Sequence, residues 1–172
     1  MPETQEYWFA AKTRKDQEFS LRNSLEKLGI ECFLPTQVVV RQLKYRRKRV
    51  EVPVIKNLLF IHATKERAWL TVNESRLSLF FMKDLYTGSI LVIPDKQMRD
   101  FMFVMDLNPD GVSFDNDGMH EGIQVRVVKG EFSGVEGELV KIANRTHVVV
   151  RIPQILSLCI RIPKSYLQII VK

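Results

Sequence analysis

The sequence predicts an α+β protein with two domains: an N-terminal antiparallel sheet flanked by helices, and a C-terminal small five-stranded β-barrel. Strand and helix periodicities alternate up to residue 105. A polar segment follows, and after residue 120 only strand periodicity remains. The expected boundaries are 1–107 for the first domain, 108–119 for the linker and 120–172 for the second domain.

Composition narrows the class of protein. An apolar fraction of 45% in 172 residues is ordinary for a folded chain. The 26 basic and 20 acidic side chains give a formal charge of +6, which weakly favours an anionic partner such as nucleic acid. We expect a cytoplasmic protein, because the N-terminal residues lack the apolar core of a signal peptide and no apolar run is long enough to span a membrane.

Helical and strand elements can be placed along the first domain. Leucines at 21, 25 and 28 form one stripe of a helix over residues 15–28, with Thr13 as its expected N-cap and Gly29 as its left-handed C-terminal residue. A second helix is expected over 65–73 and a third begins after Pro94. The expected strands cover residues 7–11, 30–35, 37–43, 58–61 and 77–82.

The densest basic stretch lies between two strand-like runs, so it is predicted to form the tip of a hairpin. One interpretation is a solvated loop, and the other is a contact with phosphates, whose neutralisation releases condensed counterions. The basic residues of this stretch are Arg41, Lys44, Arg46, Arg47, Lys48 and Arg49.

The C-terminal part carries a glycine-rich segment over residues 121–137, which holds four of the eight glycines. Its alternating apolar residues indicate a strand, and its glycines allow tight bends or close backbone approaches. The segment resembles the KOW motif, the first hairpin of a small barrel in NusG-type transcription elongation factors and some ribosomal proteins. An ordinary glycine-rich hairpin is the alternative. The matching residues are Gly122, Val125, Val127, Gly130, Phe132, Gly134 and Gly137.

The first domain extends this resemblance. An aromatic strand at Trp8–Phe9, a helix, and the segment Gly29–Pro35 are similar to the opening of a NusG N-terminal domain. Residues 53–61 fall where that family has P-L-F-P-G-Y-V-F-V. The chain therefore resembles NusG-family transcription elongation and antitermination factors, and is most similar to UpxY-type antiterminators of capsular polysaccharide operons.

The resemblance implies that RNA polymerase is the main partner and that pausing and termination are reduced. Phe9, Ile55, Leu58 and Phe81 would dock on the polymerase clamp helices, although strand aromatics such as Phe9 and Phe81 usually face a core. Trp69, Leu70 and Thr71 would reach the opposite side of the polymerase cleft. Lys56-Asn57-Leu58 replaces the P-G-Y of the family, which puts that contact in doubt and suggests a specialised paralogue.

Further partners also follow from the resemblance. Arg14, Lys15 and the basic hairpin would meet the non-template strand or upstream DNA. The KOW domain would bind a ribosomal protein or the termination factor Rho, unless it refolds to mask the polymerase-binding patch. We expect a monomer without a cofactor.

Two other classes of protein compete with this interpretation. An RNA-binding or ribosome-associated KOW protein would need stacking aromatics, for which only Phe132 and Tyr166 are available after residue 120. An enzyme or metal site is not expected, because the three histidines are isolated and Cys32 and Cys159 lack metal-ligand spacing.

Overall fold

The computed structural model describes residues 4–73, 77–107, 113–115, 122–142, 144–152 and 156–170. Tertiary contacts divide the chain into a first unit, residues 1–94, and a second unit, residues 95–172. The α+β class predicted from the sequence is confirmed, since the described part consists mostly of strands with three α-helices. None of these helices is long and apolar enough to cross a membrane.

The first unit contains seven strands and two helices in its described residues. Their bounds are β1 Tyr7–Thr13, α1 Glu18–Lys27, β2 Glu31–Phe33, β3 Thr36–Gln42, β4 Arg47–Pro53, β5 Leu58–Ala63, α2 Lys65–Asn73, β6 Leu79–Phe81 and β7 Val92–Ile93.

Five of these strands form one antiparallel sheet in the order β2-β5-β1-β6, with β7 also paired to β1. Phe9 of β1 lies opposite Ile61 of β5 in this register. Both side chains are fully buried, which is what a strand at the centre of a sheet requires when its faces are covered. One face packs against α1 through a cluster that includes Ala11, Leu21, Leu25, Ile30, Leu59, Ile61 and Leu79.

Helix α1 is shorter than the sequence predicts. Its N-cap residue is Gln17, which makes no side-chain capping bond. Thr13 is not the cap, since it ends β1 instead. The C-terminal prediction is confirmed: Gly29 has a φ of +72°. The N–H of Gly29 donates to the Glu26 carbonyl and that of Ile30 to the Leu25 carbonyl, both at 3.0 Å, which is the Schellman pattern.

The second unit begins with a helix and continues as strands. Its bounds are α3 Asp95–Leu107, β8 Ser113–Asp115, β9 Ile123–Val127, β10 Glu136–Ile142, β11 Arg145–Ile152, β12 Leu156–Arg161 and β13 Leu167–Ile169. The strands form one sheet in the order β13-β9-β10-β11-β12-β8. Its buried side chains include Val125, Val127, Val135, Val148, Val149, Val150, Ile152, Leu158, Ile160 and Ile162.

The predicted five-stranded closed barrel is not found among the described residues. In the part of the chain that the structure describes, the sheet has six strands in one linear order, with β13 and β8 at its two ends. The sixth strand, β8, lies within the stretch predicted as a linker, where Phe114 is paired with Leu158 of β12. Strand β8 pairs with β12, although the polar composition of residues 108–119 did not indicate a strand there. The predicted domain boundaries remain a prediction.

Helix α3 is held within the second unit by a buried carboxylate. Asp100 is 7% exposed, and its Oδ2 accepts the Glu136 N–H at 3.1 Å while its Oδ1 accepts from Lys96 Nζ at 2.7 Å. Lys96 also donates to the Gly134 carbonyl at 2.9 Å. A buried carboxylate needs such partners, so these bonds fix where α3 meets the start of β10.

Candidate nucleic-acid interface

Strands β3 and β4 form a two-stranded sheet of their own, here called the basic ribbon (residues 36–53). The register pairs Thr36 with Pro53 at the base and Gln42 with Arg47 near the tip. Seven residues in each strand give the ribbon a length of about 23 Å. Within these residues there are six cationic side chains and one carboxylate, Glu51.

Every residue from 41 to 49 is exposed, so the six cations that the sequence singled out are all in contact with solvent. Side chains alternate between the faces of a strand and cross-strand partners share a face. Arg47 and Arg49 therefore lie on one face, and Arg41 and Lys48 lie on the other. Arg41 is directly opposite Lys48, a like-charge pair that destabilises the ribbon by itself and that a bound polyanion would relieve.

The tip of the ribbon is a tight turn. The Leu43 N–H donates to the Arg46 carbonyl at 2.7 Å, which leaves Lys44 and Tyr45 as the turn residues. Arg47 Nε donates to Gln42 Oε1 at 3.2 Å across the last strand pair. Tyr45 is 88% exposed, and Lys44 Nζ lies 5.4 Å from the centroid of its ring. The turn thus presents an aromatic ring among cations.

The base of the ribbon is tied to the rest of the first unit. The Val54 N–H donates to the Pro35 carbonyl at 2.9 Å, which closes the two strands at the end away from the tip. Arg22 of α1 forms an ion pair with Glu51 of β4 at 3.4 Å. The ribbon therefore extends from an anchored base, whereas its charged half has no core to pack against.

A corner of the chain at Asn57 lies between the ribbon and β5. Asn57 has a φ of +61°, a left-handed conformation that glycine adopts without cost and that asparagine tolerates better than most residues. Its N–H donates to Oε1 of the buried Glu18 at 2.9 Å, and its carbonyl accepts from the Thr13 N–H at 2.9 Å. Asn57 thus supplies a left-handed corner that is fixed by two hydrogen bonds.

The seven residues predicted to contact polymerase occupy different environments. Phe9, Leu58 and Thr71 are buried at 0%, 4% and 2% exposure, so their side chains stabilise the first unit. Phe81 is half-buried with its ring 5.7 Å from that of Phe9. The accessible members are Trp69, which is 57% exposed, and the half-buried Ile55 and Leu70.

Sequence reasoning missed three exposed apolar side chains in the first unit: Phe80, Leu85 and Tyr86, at 67%, 83% and 91% exposure. The last two sit on a loop ordered by Asp84, whose Oδ1 accepts the N–H groups of Tyr86 at 2.7 Å and Thr87 at 3.1 Å. The sequence D-L-Y-T-G carries a signal for that turn, since aspartate bonds to backbone N–H groups downstream and Gly88 supplies a positive φ.

The predicted DNA-contacting residues outside the ribbon, Arg14 and Lys15, are exposed in the turn between β1 and α1. The predicted KOW residues lie directly before β9, on β9 and β10, and in the turn between these strands. Val125 and Val127 are buried, and a Cβ on Gly137 would stand 2.4 Å from the Val149 carbonyl oxygen, so the chain approaches too closely there for any side chain. Gly122 is similarly close to Leu139, Gly130 and Gly134 have positive φ, and Phe132 is half-buried.

One cluster in the described residues has metal-ligating side chains close together. Glu6, Glu31 and His62 place one ligand atom each within 4.8 Å of the others. His62 Nδ1 already lies 2.7 Å from Glu31 Oε2, and its ring stacks on Trp8 at 4.7 Å. A hydrogen bond between His62 and Glu31 therefore already joins two members of the cluster, and the expectation of no metal remains a prediction.

The two cysteines differ in their surroundings. Cys32, half-buried on β2, has the pKa of its thiol raised from 9.0 to about 11, chiefly by burial and then by the nearby Glu26 carboxylate. Cys159 is buried on β12. A thiol with a raised pKa is protonated at neutral pH, which makes it a poor nucleophile.

Comparison with known proteins identifies a family. A profile described as "Transcription termination factor nusG" matches residues 6–102, which is more than half of the chain. A solved structure described as "Domain interaction in Thermotoga maritima NusG" has 16% identity and a TM-score of 0.49, and the match covers 97% of this chain and 98% of that chain. The "MjSpt4:Spt5 complex conformation B" has 12% identity, coverages of 96% and 97% and a TM-score of 0.26. No curated protein sequence matches significantly.

Proposed function

The chain belongs to the NusG family of transcription factors, and from that premise we propose that it is an elongation and antitermination factor that binds RNA polymerase through its first unit. The family match over residues 6–102 is the observation that carries this proposal. The match includes both the five-stranded sheet and the basic ribbon. We expect the factor to reduce pausing and termination while it is bound.

The proposed polymerase-docking surface uses the accessible members of the predicted set, Ile55, Trp69 and Leu70. Exposed aromatic side chains are favourable anchors at interfaces, because they bury a large area at a low cost in conformational entropy. Trp69 is 57% exposed although its neighbour Ala68 is fully buried, so the ring projects from the solvent side of α2. Phe80, at 67% exposure, is a further candidate on β6.

Capture of purified RNA polymerase by the immobilised full chain tests this surface. We expect Trp69→Ala to reduce retention at least tenfold, as loss of a central aromatic anchor does at other interfaces. Tyr86→Ala is the matched control, because it removes another exposed aromatic ring from the same unit. Leu58→Asp would not be informative, since Leu58 is buried and the variant would unfold the unit. Equal retention of polymerase by the wild type and by Trp69→Ala would show that Trp69 is not part of the interface.

The proposed role of the basic ribbon is to contact the phosphate backbone of nucleic acid in the transcription complex. Six exposed cations on both faces of a ribbon, with a single carboxylate, support this role. The like-charge pair of Arg41 and Lys48 gives a reason beyond composition, because its cost is offset only when an anion binds.

The salt dependence of DNA binding tests the ribbon. We expect the triple variant Arg46→Glu, Arg47→Glu, Lys48→Glu to flatten the slope of log K against log salt by about 2 to 3 units, since each phosphate contact contributes about 0.7 to 0.9. The triple variant Lys27→Glu, Lys83→Glu, Lys129→Glu makes the same change in net charge at exposed lysines outside the ribbon. If both variants flatten the slope equally, net charge and not the ribbon governs binding.

We further propose that the second unit recruits a partner, a ribosomal protein or Rho, and that the factor serves polysaccharide operons. The replacement of P-G-Y by Lys56-Asn57-Leu58 supports a specialised paralogue. Co-purification of either partner with the full chain, abolished by substitutions confined to β9–β13, is the expected result. Retention of neither partner would overturn the recruitment proposal while leaving polymerase binding untouched.

A further inference from the structure

The tip of the basic ribbon carries an aromatic ring that lies outside the hydrophobic core. Tyr45 is 88% exposed, because the turn residues lie beyond the last strand pair, where there is no core to receive a ring. An aromatic side chain buries 150–250 Å² when it finds a partner, so one left in water is available for binding. Tyr45 makes no contribution to the cluster that stabilises the five-stranded sheet.

The surroundings of the ring indicate the chemistry of its partner. Lys44 and Arg46 flank Tyr45, and Lys44 Nζ lies 5.4 Å from the ring centroid. Cations that track a phosphate backbone, together with an aromatic ring on which bases stack, are the two components of single-stranded nucleic-acid sites. A protein partner with an apolar pocket would not need six cations on the same ribbon.

The position of the ring at the end of a narrow ribbon further restricts the partner. The turn is braced by the bond from the Leu43 N–H to the Arg46 carbonyl and by the bond from Arg47 Nε to Gln42 Oε1, so Tyr45 is held beyond the last strand pair. In a duplex the faces of the bases are covered by stacking, and opening a step costs free energy. In a single strand those faces are accessible.

We infer that Tyr45 stacks on an unpaired base of a single-stranded nucleic acid and gives the ribbon a preference for single strands over duplex. This inference rests on the proposed nucleic-acid contact of the ribbon and adds to it the state of the strand that is bound. The cations of the ribbon bind any polyanion, and the Tyr45 ring adds the preference for single strands over duplex.

Binding of the full chain to three fluorescent probes of equal length tests the inference: a single-stranded oligothymidine, a duplex, and an abasic strand that keeps the phosphates but lacks bases. We expect Tyr45→Ala to weaken binding of the oligothymidine by about fivefold to a hundredfold, the range of one stacked base. Its binding to the duplex and to the abasic strand should change less than twofold. The salt slope should be unchanged, because stacking neutralises no phosphate.

Two variants make the result specific. Tyr45→Phe keeps the ring and should bind oligothymidine within twofold of the wild type, and Tyr86→Ala, which removes an exposed tyrosine outside the ribbon, should have no effect. Equal weakening on all three probes by Tyr45→Ala, or no weakening on any, would overturn the inference. In either of those cases, loss of binding by the variant Arg46→Glu, Arg47→Glu, Lys48→Glu would still support the proposed phosphate contact. Failure of the wild type to bind any probe would overturn both.

Discussion

Two strand pairs of the first unit are both antiparallel, but their side chains differ in burial. In the pair of β1 and β5, Phe9, Ala10, Leu59, Phe60 and Ile61 are all fully buried. In the pair of β3 and β4, every residue from 41 to 49 is exposed. The first pair therefore carries the stability of the unit. The second contributes little to stability, and its side chains are available to a partner.

The largest difference between the two pairs should appear in the free energy of unfolding. We expect Ile61→Ala on β5 to destabilise the protein by about 2 to 5 kcal/mol, because it removes buried methyl groups and leaves a cavity. Val40→Ala on the ribbon should change stability by less than about 0.5 kcal/mol, since Val40 is 60% exposed. Urea denaturation measures both, and comparable losses would show that the ribbon is part of the folding core.

A smaller loss of stability is expected when the hydrogen bond between Glu18 and the corner at Asn57 is removed. Glu18→Ala should cost about 1 to 3 kcal/mol, because the Asn57 N–H would lose its buried acceptor. Glu18→Gln keeps an acceptor oxygen at the same place and should recover most of that loss. If Gln and Ala are equally destabilising in thermal unfolding, the bond to Asn57 contributes nothing.

The corner itself offers a conformational test. Asn57→Ala should destabilise by about 1 to 2 kcal/mol, because a residue with a Cβ is disfavoured at a φ of +61°. Asn57→Gly should be near neutral, since glycine adopts that conformation freely. Chemical denaturation of the two variants separates backbone strain from loss of the asparagine side chain. The reverse order of stabilities would refute a role of Asn57 in holding the left-handed corner.

The smallest effect concerns the chemistry of Cys32, at the edge of the buried sheet. A pKa of about 11 in place of 9.0 lowers the thiolate fraction at pH 8 about a hundredfold, so alkylation should be slower by that factor than in the unfolded chain. The raised pKa also means that the protonated thiol favours the fold below pH 9 and that this contribution is lost as the pH rises through 11.

Peptide mapping after timed iodoacetamide treatment at pH 8 gives the rate at Cys32 separately from that at Cys159. The unfolded reference is the same protein in guanidinium chloride. Equal rates in the folded and unfolded chains would mean that burial does not control the thiol.

Elements with a strong local signal were predictable from the sequence. Helix α2 was expected over 65–73 and is found as Lys65–Asn73, and Gly29 ends α1 as its spacing indicates. The ribbon was predictable because a dense cationic stretch between strand-like runs has no place in a core. By contrast, Thr13 was an incorrect cap, since a strand that pairs with β5 and β6 competes for the same residue.

Side-chain burial was less predictable, because it depends on what the rest of the fold places over each position. Leu58 follows a corner and starts a strand, and nothing local distinguishes its 4% exposure from the 67% of Phe80. The six-stranded order of the described sheet was missed for a similar reason. The number of predicted strands does not determine which strands pair. The pairing of β8 with β12 joins residues far apart in the sequence, so no local pattern predicts it. The unused ring of Tyr45 became evident only once its turn had been placed.

A single-round transcription assay with purified RNA polymerase tests the central claim most directly. Addition of the full chain should shorten pauses and raise read-through of a terminator, and the ribbon variant Arg46→Glu, Arg47→Glu, Lys48→Glu should lose most of that effect while remaining folded. Pause lifetimes and read-through that are the same with and without the wild-type protein would contradict the account.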